Sequence, residues 1–257
     1  MGVLNVTPDS FSDGGTWIDA RSAIAHGVRL ARQGADIIDV GGESTRPGAE
    51  PVAADVEIRR VVPVVRALAR RGLAVSIDTS KAAVASAAID AGASIVNDVT
   101  ALADPAMAPL AARARVAVIL MHMKGTPRTM QARPRYGDVV KEILAFLRAR
   151  LRAATSAGIA RERLIVDPGI GFGKLPRHNL EILRRLGEFA ALGRPVAIGT
   201  SRKRFIGHYL GRDVDERVPG TAATVAAAVL RGASLIRVHD VDVMADVVRM
   251  STLLRDS

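Results

Sequence analysis

Short apolar runs recur along the chain, and most end in a polar cluster that carries glycine. The runs that read as strands are Gly2–Val6, Asp36–Val40, Leu73–Asp78, Ser94–Asn97, Val116–Met121, Leu164–Asp167, Val196–Gly199 and Leu235–Val238. All are short and apolar on both faces, the pattern of strands covered on both sides in a parallel sheet. Helix-period stretches alternate with them: Val140, Ile143, Leu144, Leu147 and Leu151 share one face, as do Val243, Val247, Met250 and Leu254. Gly34, Gly72, Gly92, Gly158 and Gly193 stand just before strands, where helix C-caps belong. The segment 205–231 predicts an additional helix, opened by Pro219 and continued by the alanine-rich 222–230.

Eight strand–helix units predict an α/β fold: one (β/α)8 TIM barrel spanning residues 1–257, with an extra helix before the last strand. A doubly wound open sheet is the alternative, but it rarely needs eight units of similar length. In a closed parallel barrel all strand ends converge on one mouth, so the polar clusters are expected to wall a single pocket.

Composition narrows the class. Hydrophobic residues make up 49% of the chain, enough for a large core. No apolar run approaches the roughly 20 residues that cross a bilayer. Met1–Val6 gives way at once to Thr7, Pro8 and Asp9, so no signal peptide is expected there. With no cysteine, disulfides, thiolate nucleophiles and zinc–thiolate sites are excluded, and a cytoplasmic protein is the expectation. The net charge of +10 invites a nucleic-acid reading. Basic residues, however, are spread along every helix-like stretch, and aromatic content of 3% offers little base stacking. Arginine outnumbers lysine 31 to 5, yet Lys81, Lys124, Lys174 and Lys203 all fall in or beside strand-end clusters, and Lys141 is expected mid-helix. A small anionic substrate suits that placement better than nucleic acid does.

Asp78, Asp98 and Asp167, with Asn97, stand where strands give way to loops. Each aspartate alone could cap a following helix. Together at one mouth they suit a heterocycle with several ring nitrogens. Thr200, Ser201, Arg202 and Lys203 open a helix after the seventh strand, where free N–H groups favour a phosphate or carboxylate. Arg237 and His239 alternate along the last strand and so face the same way. DPGIGFGK at 167–174 lacks the order of a dinucleotide fingerprint. His122, between two methionines, reads as a core or rim residue, and no two histidines have chelate spacing.

Taken in order, LNVTPDSFSDGG, GGESTRPGAE, SIDTSK, VNDV, LMHMKGTP, DPGIGFGK, GTSRKRFIG and RVHDV resemble the dihydropteroate synthases over essentially the whole chain. The resemblance implies condensation of 6-hydroxymethyl-7,8-dihydropterin diphosphate with p-aminobenzoate, giving 7,8-dihydropteroate and diphosphate, with Mg2+ required. It implies that Asp78, Asn97, Asp167 and Lys203 hold the pterin, that Met121 lines its pocket and that Arg237 stacks on the ring. Asn5, Arg237 and His239 would form the diphosphate and Mg2+ site, Asn5 as metal ligand. Thr45, Arg46 and Pro47 would belong to a loop that closes, with the Phe11 loop, over the p-aminobenzoate site, while Phe172 and Ser201 contact that substrate. Phe11 and Pro47 match positions tied to sulfonamide sensitivity, so the chain is expected to be a sulfonamide target.

Two departures accompany the match. Met1 lies almost on the first strand, where members carry a further short segment, and Arg204 stands where the family often has a smaller residue. The resemblance also suggests a homodimer, with small-molecule substrates and neither nucleic acid nor membrane as partner. Two other readings compete: a related pterin-binding methyltransferase barrel, and a non-catalytic pterin-binding paralogue. Against the first stand the TRPG loop and the SRK helix start; against the second, every matched catalytic position is filled.

Overall fold

The computed structural model describes residues 1–6, 16–44, 48–126, 128–132 and 134–256, with the side chains of 16–19 outside the description. Eight parallel strands alternate with helices: β1 (Gly2–Asn5), β2 (Ile37–Gly41), β3 (Ala74–Asp78), β4 (Ile95–Asp98), β5 (Ala117–Met121), β6 (Leu164–Asp167), β7 (Ala197–Ile198) and β8 (Leu235–Ile236). Each falls within about a residue or two of its expected place. The helices are α1 (Thr16–Arg32), α2 (Ala54–Ala69), α3 (Ala82–Asp90), α4 (Met107–Ala114), α5 (Val139–Ser156), α6 (Pro176–Arg184), α7 (Arg204–Leu210), α8 (Val218–Leu230) and α9 (Val241–Asp256). The expected extra helix is present, since both α7 and α8 lie between β7 and β8, and a proline sits in the first turn of α8.

Strands β1 to β6 pair in sequence order, and β7 pairs with β8. Two single bridges join these groups into a ring: Val166 to Val196, and Gly2 to Val238. At the second seam Val3 N donates to Val238 O at 2.9 Å and Val238 N to Met1 O at 3.0 Å. The barrel is therefore closed, with its last two strands only two residues long each. All five glycines expected at helix ends have φ between +61° and +111°, a region where a Cβ is costly. Asp138 caps α5, accepting from Val140 N and Lys141 N at 3.0 Å each. Lys141 thus lies in the first turn of α5 rather than mid-helix.

Strand periodicity builds the interior in layers. A small apolar cluster of Met1, Ile95, Ile119 and Ala197, flanked by Ile37, Ile165 and Leu235, is separate from the large cluster between strands and helices. It is the floor of the barrel's inside. Two residues further along the same strands, and so on the same face, stand Asp39, Asn97, Met121, Asp167, Gly199 and Arg237. One step of the pleat converts an apolar floor into a polar mouth. Among the described residues, no helix is long and apolar enough to cross a membrane.

Candidate active site

The polar layer centres on Arg237. Its Nε donates to Asp39 Oδ2 at 2.6 Å and its Nη2 to Asp78 Oδ2 at 2.7 Å, which joins the end of β8 to β2 and β3. Asn97 donates from Nδ2 to the same Asp39 oxygen at 3.1 Å. Asp39 is wholly buried, and Asp78 and Asn97 nearly so. Burial pushes the Asp78 carboxyl up to about 7: Arg237 opposes the shift, while Asp39 and Glu57 add to it. Two buried acceptors in this layer, Asp39 Oδ1 and Asp78 Oδ1, have no hydrogen-bond partner among the described residues. Such atoms are costly unless something arrives to satisfy them.

Across the mouth stand Asp167 and Lys203. Burial raises the Asp167 carboxyl, against the pull of Lys203, and its Oδ1 accepts from Gly169 N at 2.6 Å. Lys203 is brought down to about 8, by burial first, with Asp167 opposing. Its Nζ donates to Ile170 O and lies 4.8 Å from the centroid of the Phe172 ring. Met121, at the end of β5, is buried on the same inner face. On the β7–β8 side, Ser201 Oγ accepts from His239 N at 3.1 Å and lies 3.0 Å from its Nδ1. Arg202, in the left-handed region at φ +54°, pairs in a fork with Asp240 at 2.9 and 2.5 Å. Asn5 closes β1, and a Cβ built on Gly41 would lie 3.8 Å from both its Oδ1 and Asp78 Oδ2.

The structure thus gathers Asn5, Asp78, Asn97, Met121, Asp167, Phe172, Ser201, Lys203, Arg237 and His239 at the strand ends. Phe11, Thr45, Arg46 and Pro47 lie outside the described residues. Several expectations change. Asp98 does not join the cluster: it accepts from Thr100 N, Thr100 Oγ1 and Leu102 N at 2.7–2.8 Å, the local capping role. Arg202 is committed to Asp240 and Asp215, leaving it little freedom as an anion ligand. Lys81 ties Glu43 to the buried Glu57, bonding Glu57 Oε2 at 2.6 Å. Sequence reading missed Asp39, the shared acceptor of Arg237 and Asn97. The available signal was a carboxylate in the middle of the apolar run IIDVG, which no amphipathic strand explains.

A cavity of about 310 Å³ opens beside Asp78 and is lined by Glu43, Glu57, Thr79, Thr100 and Arg128. It lies over the ends of β2–β4 and not over Asp167 and Lys203, so it forms one flank of the mouth. Among the described residues no group of three or more His, Asp or Glu is placed to hold a metal.

The Asp78 shift has a testable sign. Between its unfolded value near 4 and its folded value of about 7, the folded chain holds a proton that the unfolded chain has released. This group's contribution to stability therefore falls as pH rises through that window. Asp78→Asn, which cannot titrate, should gain stability relative to the parent between about pH 4.5 and 7 in urea melts; a pH-independent difference would show that another group carries the proton.

The chain matches the family described as "Pterin binding enzyme" over residues 1–239. It is 46% identical to the dihydropteroate synthase of Haemophilus influenzae across 97% of this chain and 91% of that protein. Among solved structures, the Yersinia pestis dihydropteroate synthase with a sulfonamide drug superposes with a TM-score of 0.95 at 43% identity, covering 100% of this chain and 94% of that one. The Xanthomonas albilineans dihydropteroate synthase with 4-aminobenzoic acid gives 0.94 at 47%, covering 100% and 93%. With a closed barrel, a polar mouth and near-complete coverage by these relatives, the chain belongs to the dihydropteroate synthase family of pterin-binding enzymes.

Proposed function

We propose that this chain is a transferase of folate biosynthesis, condensing 6-hydroxymethyl-7,8-dihydropterin diphosphate with p-aminobenzoate to give 7,8-dihydropteroate and diphosphate. The whole chain, 1–257, acts as one pterin-binding barrel in this reading. The observation that carries it is the buried, partner-seeking Asp78 Oδ1 in a layer that also holds Asn97, Asp167 and Lys203. A pterin presents ring N–H and amino donors beside ring-nitrogen and carbonyl acceptors. Asp78 and Asp167 take the donors, Asn97 serves either kind, and Lys203 donates. Ring N–H donors favour the ionised form of Asp78 and offset the burial that raises its pKa in the free protein. Met121 supplies an apolar wall. For Arg237 to stack on the ring, its Nη2 leaves Asp78 while its Nε keeps Asp39 as a pivot.

Diphosphate departs from a carbon attached to an electron-rich ring, so cationic character develops there before the amine attacks. The Asp78 carboxylate stabilises that charge, and Arg237 and His239 neutralise charge on the leaving group. The arylamine is neutral near pH 7 and attacks without prior deprotonation, and the proton lost once the C–N bond has formed passes to the departing diphosphate or to solvent. Phe172 and Ser201 receive p-aminobenzoate, and Thr45, Arg46, Pro47 and Phe11 complete that side, excluding water that would compete for the cation. Asn5 offers Mg2+ one hard oxygen donor at the mouth, beside Asp78. A lone protein ligand suits an ion bound mainly through substrate phosphates and water. When bound, Mg2+ would neutralise charge on the diphosphate. We read the protein as a cytoplasmic homodimer. The cysteine-free composition suits a reducing compartment. Exposed Tyr209, Leu210, Leu230, Val243, Met250 and Leu253 on α7–α9 support a self-association face.

Purified protein given the pterin diphosphate and Mg2+ should release diphosphate only when p-aminobenzoate is present, with dihydropteroate formed in equal amount. Asp78→Ala and Lys203→Ala should each lower kcat/KM by about 100-fold or more, the usual scale for losing a buried charged contact to the transition state. Pterin binding without turnover would instead mark a non-catalytic protein. Sulfonamides should inhibit competitively with p-aminobenzoate, and undiminished turnover in large sulfonamide excess would contradict the assignment of the aromatic site. A pterin analogue unable to stabilise the cation should react far more slowly, and an unchanged rate would exclude the dissociative path.

A further inference from the structure

Lys174 is 3% exposed, and the charge of Asp167 only partly opposes the effect of its burial. Its Nζ donates to Phe172 O at 2.9 Å and His122 O at 3.3 Å and lies 3.0 Å from His122 Nδ1, three polar contacts in a site whose burial pushes the lysine well below its usual range. Burial, reinforced by Lys174, holds the His122 imidazole down to about 3, so the ring facing Lys174 is neutral. The T-shaped contact of His122 with Phe146, centroids 4.9 Å apart, fixes the ring.

This staple belongs to a larger pattern. The carbonyls of residues 170–173 are each taken by a side chain, three of them from outside the loop: Ile170 O by Lys203, Gly171 O by Gln131 at 2.8 Å and Gly173 O by Tyr136 at 2.8 Å, while Phe172 O is taken by Lys174 of the loop itself. Gly169, at φ +70°, lies so close to His122 O that a Cβ there would collide with it. The β6–α6 loop is thereby clamped onto the segment after β5, and the buried Lys174 contacts both segments at once.

We propose that Lys174 is a positioning residue, holding the Phe172 backbone against His122 so that the aromatic ring faces the p-aminobenzoate side of the mouth. This rests on the assignment of Phe172 to p-aminobenzoate. Lys174 touches neither substrate in this view and acts through Phe172.

The test is a split between the two substrates. Lys174→Met should raise the KM for p-aminobenzoate about tenfold or more while the KM for the pterin diphosphate stays within about twofold. Because that variant could fail to fold, His122→Leu and His122→Asn provide a second pair. His122→Leu removes the side-chain acceptor and should raise the p-aminobenzoate KM selectively; His122→Asn, whose Oδ1 stands in for Nδ1, should restore it. Equal rises for both substrates, or identical behaviour of the Leu and Asn variants, would overturn the proposal. Phe172→Ala is the control for the underlying assignment. If it leaves the p-aminobenzoate KM unchanged, that assignment is wrong; if it raises the KM while the Lys174 and His122 variants do not, only the positioning role fails.

Discussion

Everything at the mouth of this barrel answers to one constraint: charged groups are enclosed above an apolar floor, where none can remain ionised alone. Arg237 resolves the largest part of it. By bonding Asp39 and Asp78 it offsets two buried carboxylates with one guanidinium, whose planar fork suits two partners better than an ammonium would. The remaining imbalance appears as the upward shift of Asp78 and as carboxylate oxygens without partners. A polar network left partly unsatisfied costs stability, and proteins keep such arrangements where a ligand completes them. The same interaction reinforces one of the two single-bridge seams of the ring, since Arg237 reaches past β1 to β2 and β3.

A second demand is rigidity without regular structure. The loop after β6 carries Phe172 in a stretch with three positive-φ glycines, a composition that by itself favours many conformations. Side chains hold its carbonyls, most of them from other parts of the chain, and one of these, Lys203, also belongs to the candidate pterin site. Substrate recognition and loop order are therefore joined through one ammonium. The paired loops after β7 and β8 are tied in a similar way, by the Arg202–Asp240 fork and the Ser201–His239 contact.

Much of the site was legible in the chain because a parallel barrel places strand-end residues at one mouth whatever the helices between them do. Asp78, Asn97, Asp167 and Arg237 could be named from that alone as candidates. What could not be read was which carboxylate faces inward. Asp98 follows Asn97 directly and so points to the opposite face, where it caps its own turn. Asp39 sits one pleat deeper than the strand-end clusters, and its importance emerges only when Arg237 and Asn97 converge on it. Lys174 and Lys203 look alike in sequence, yet one reaches back to His122 and Phe172 O and the other to Ile170 O at the mouth, both within the field of Asp167.

The order and periodicity of apolar and polar residues determined the eight strands, the helices between them and the glycine-terminated helix ends, because these depend on local conformational preference and on a repeat of two or 3.6 residues; the motifs at the strand ends carried the resemblance to the family. Tertiary structure alone decided how the charges pair. Arg237 and Asp39 are 198 residues apart and meet only when the ring closes, and the state of a buried carboxyl depends on the whole three-dimensional set of charges around it.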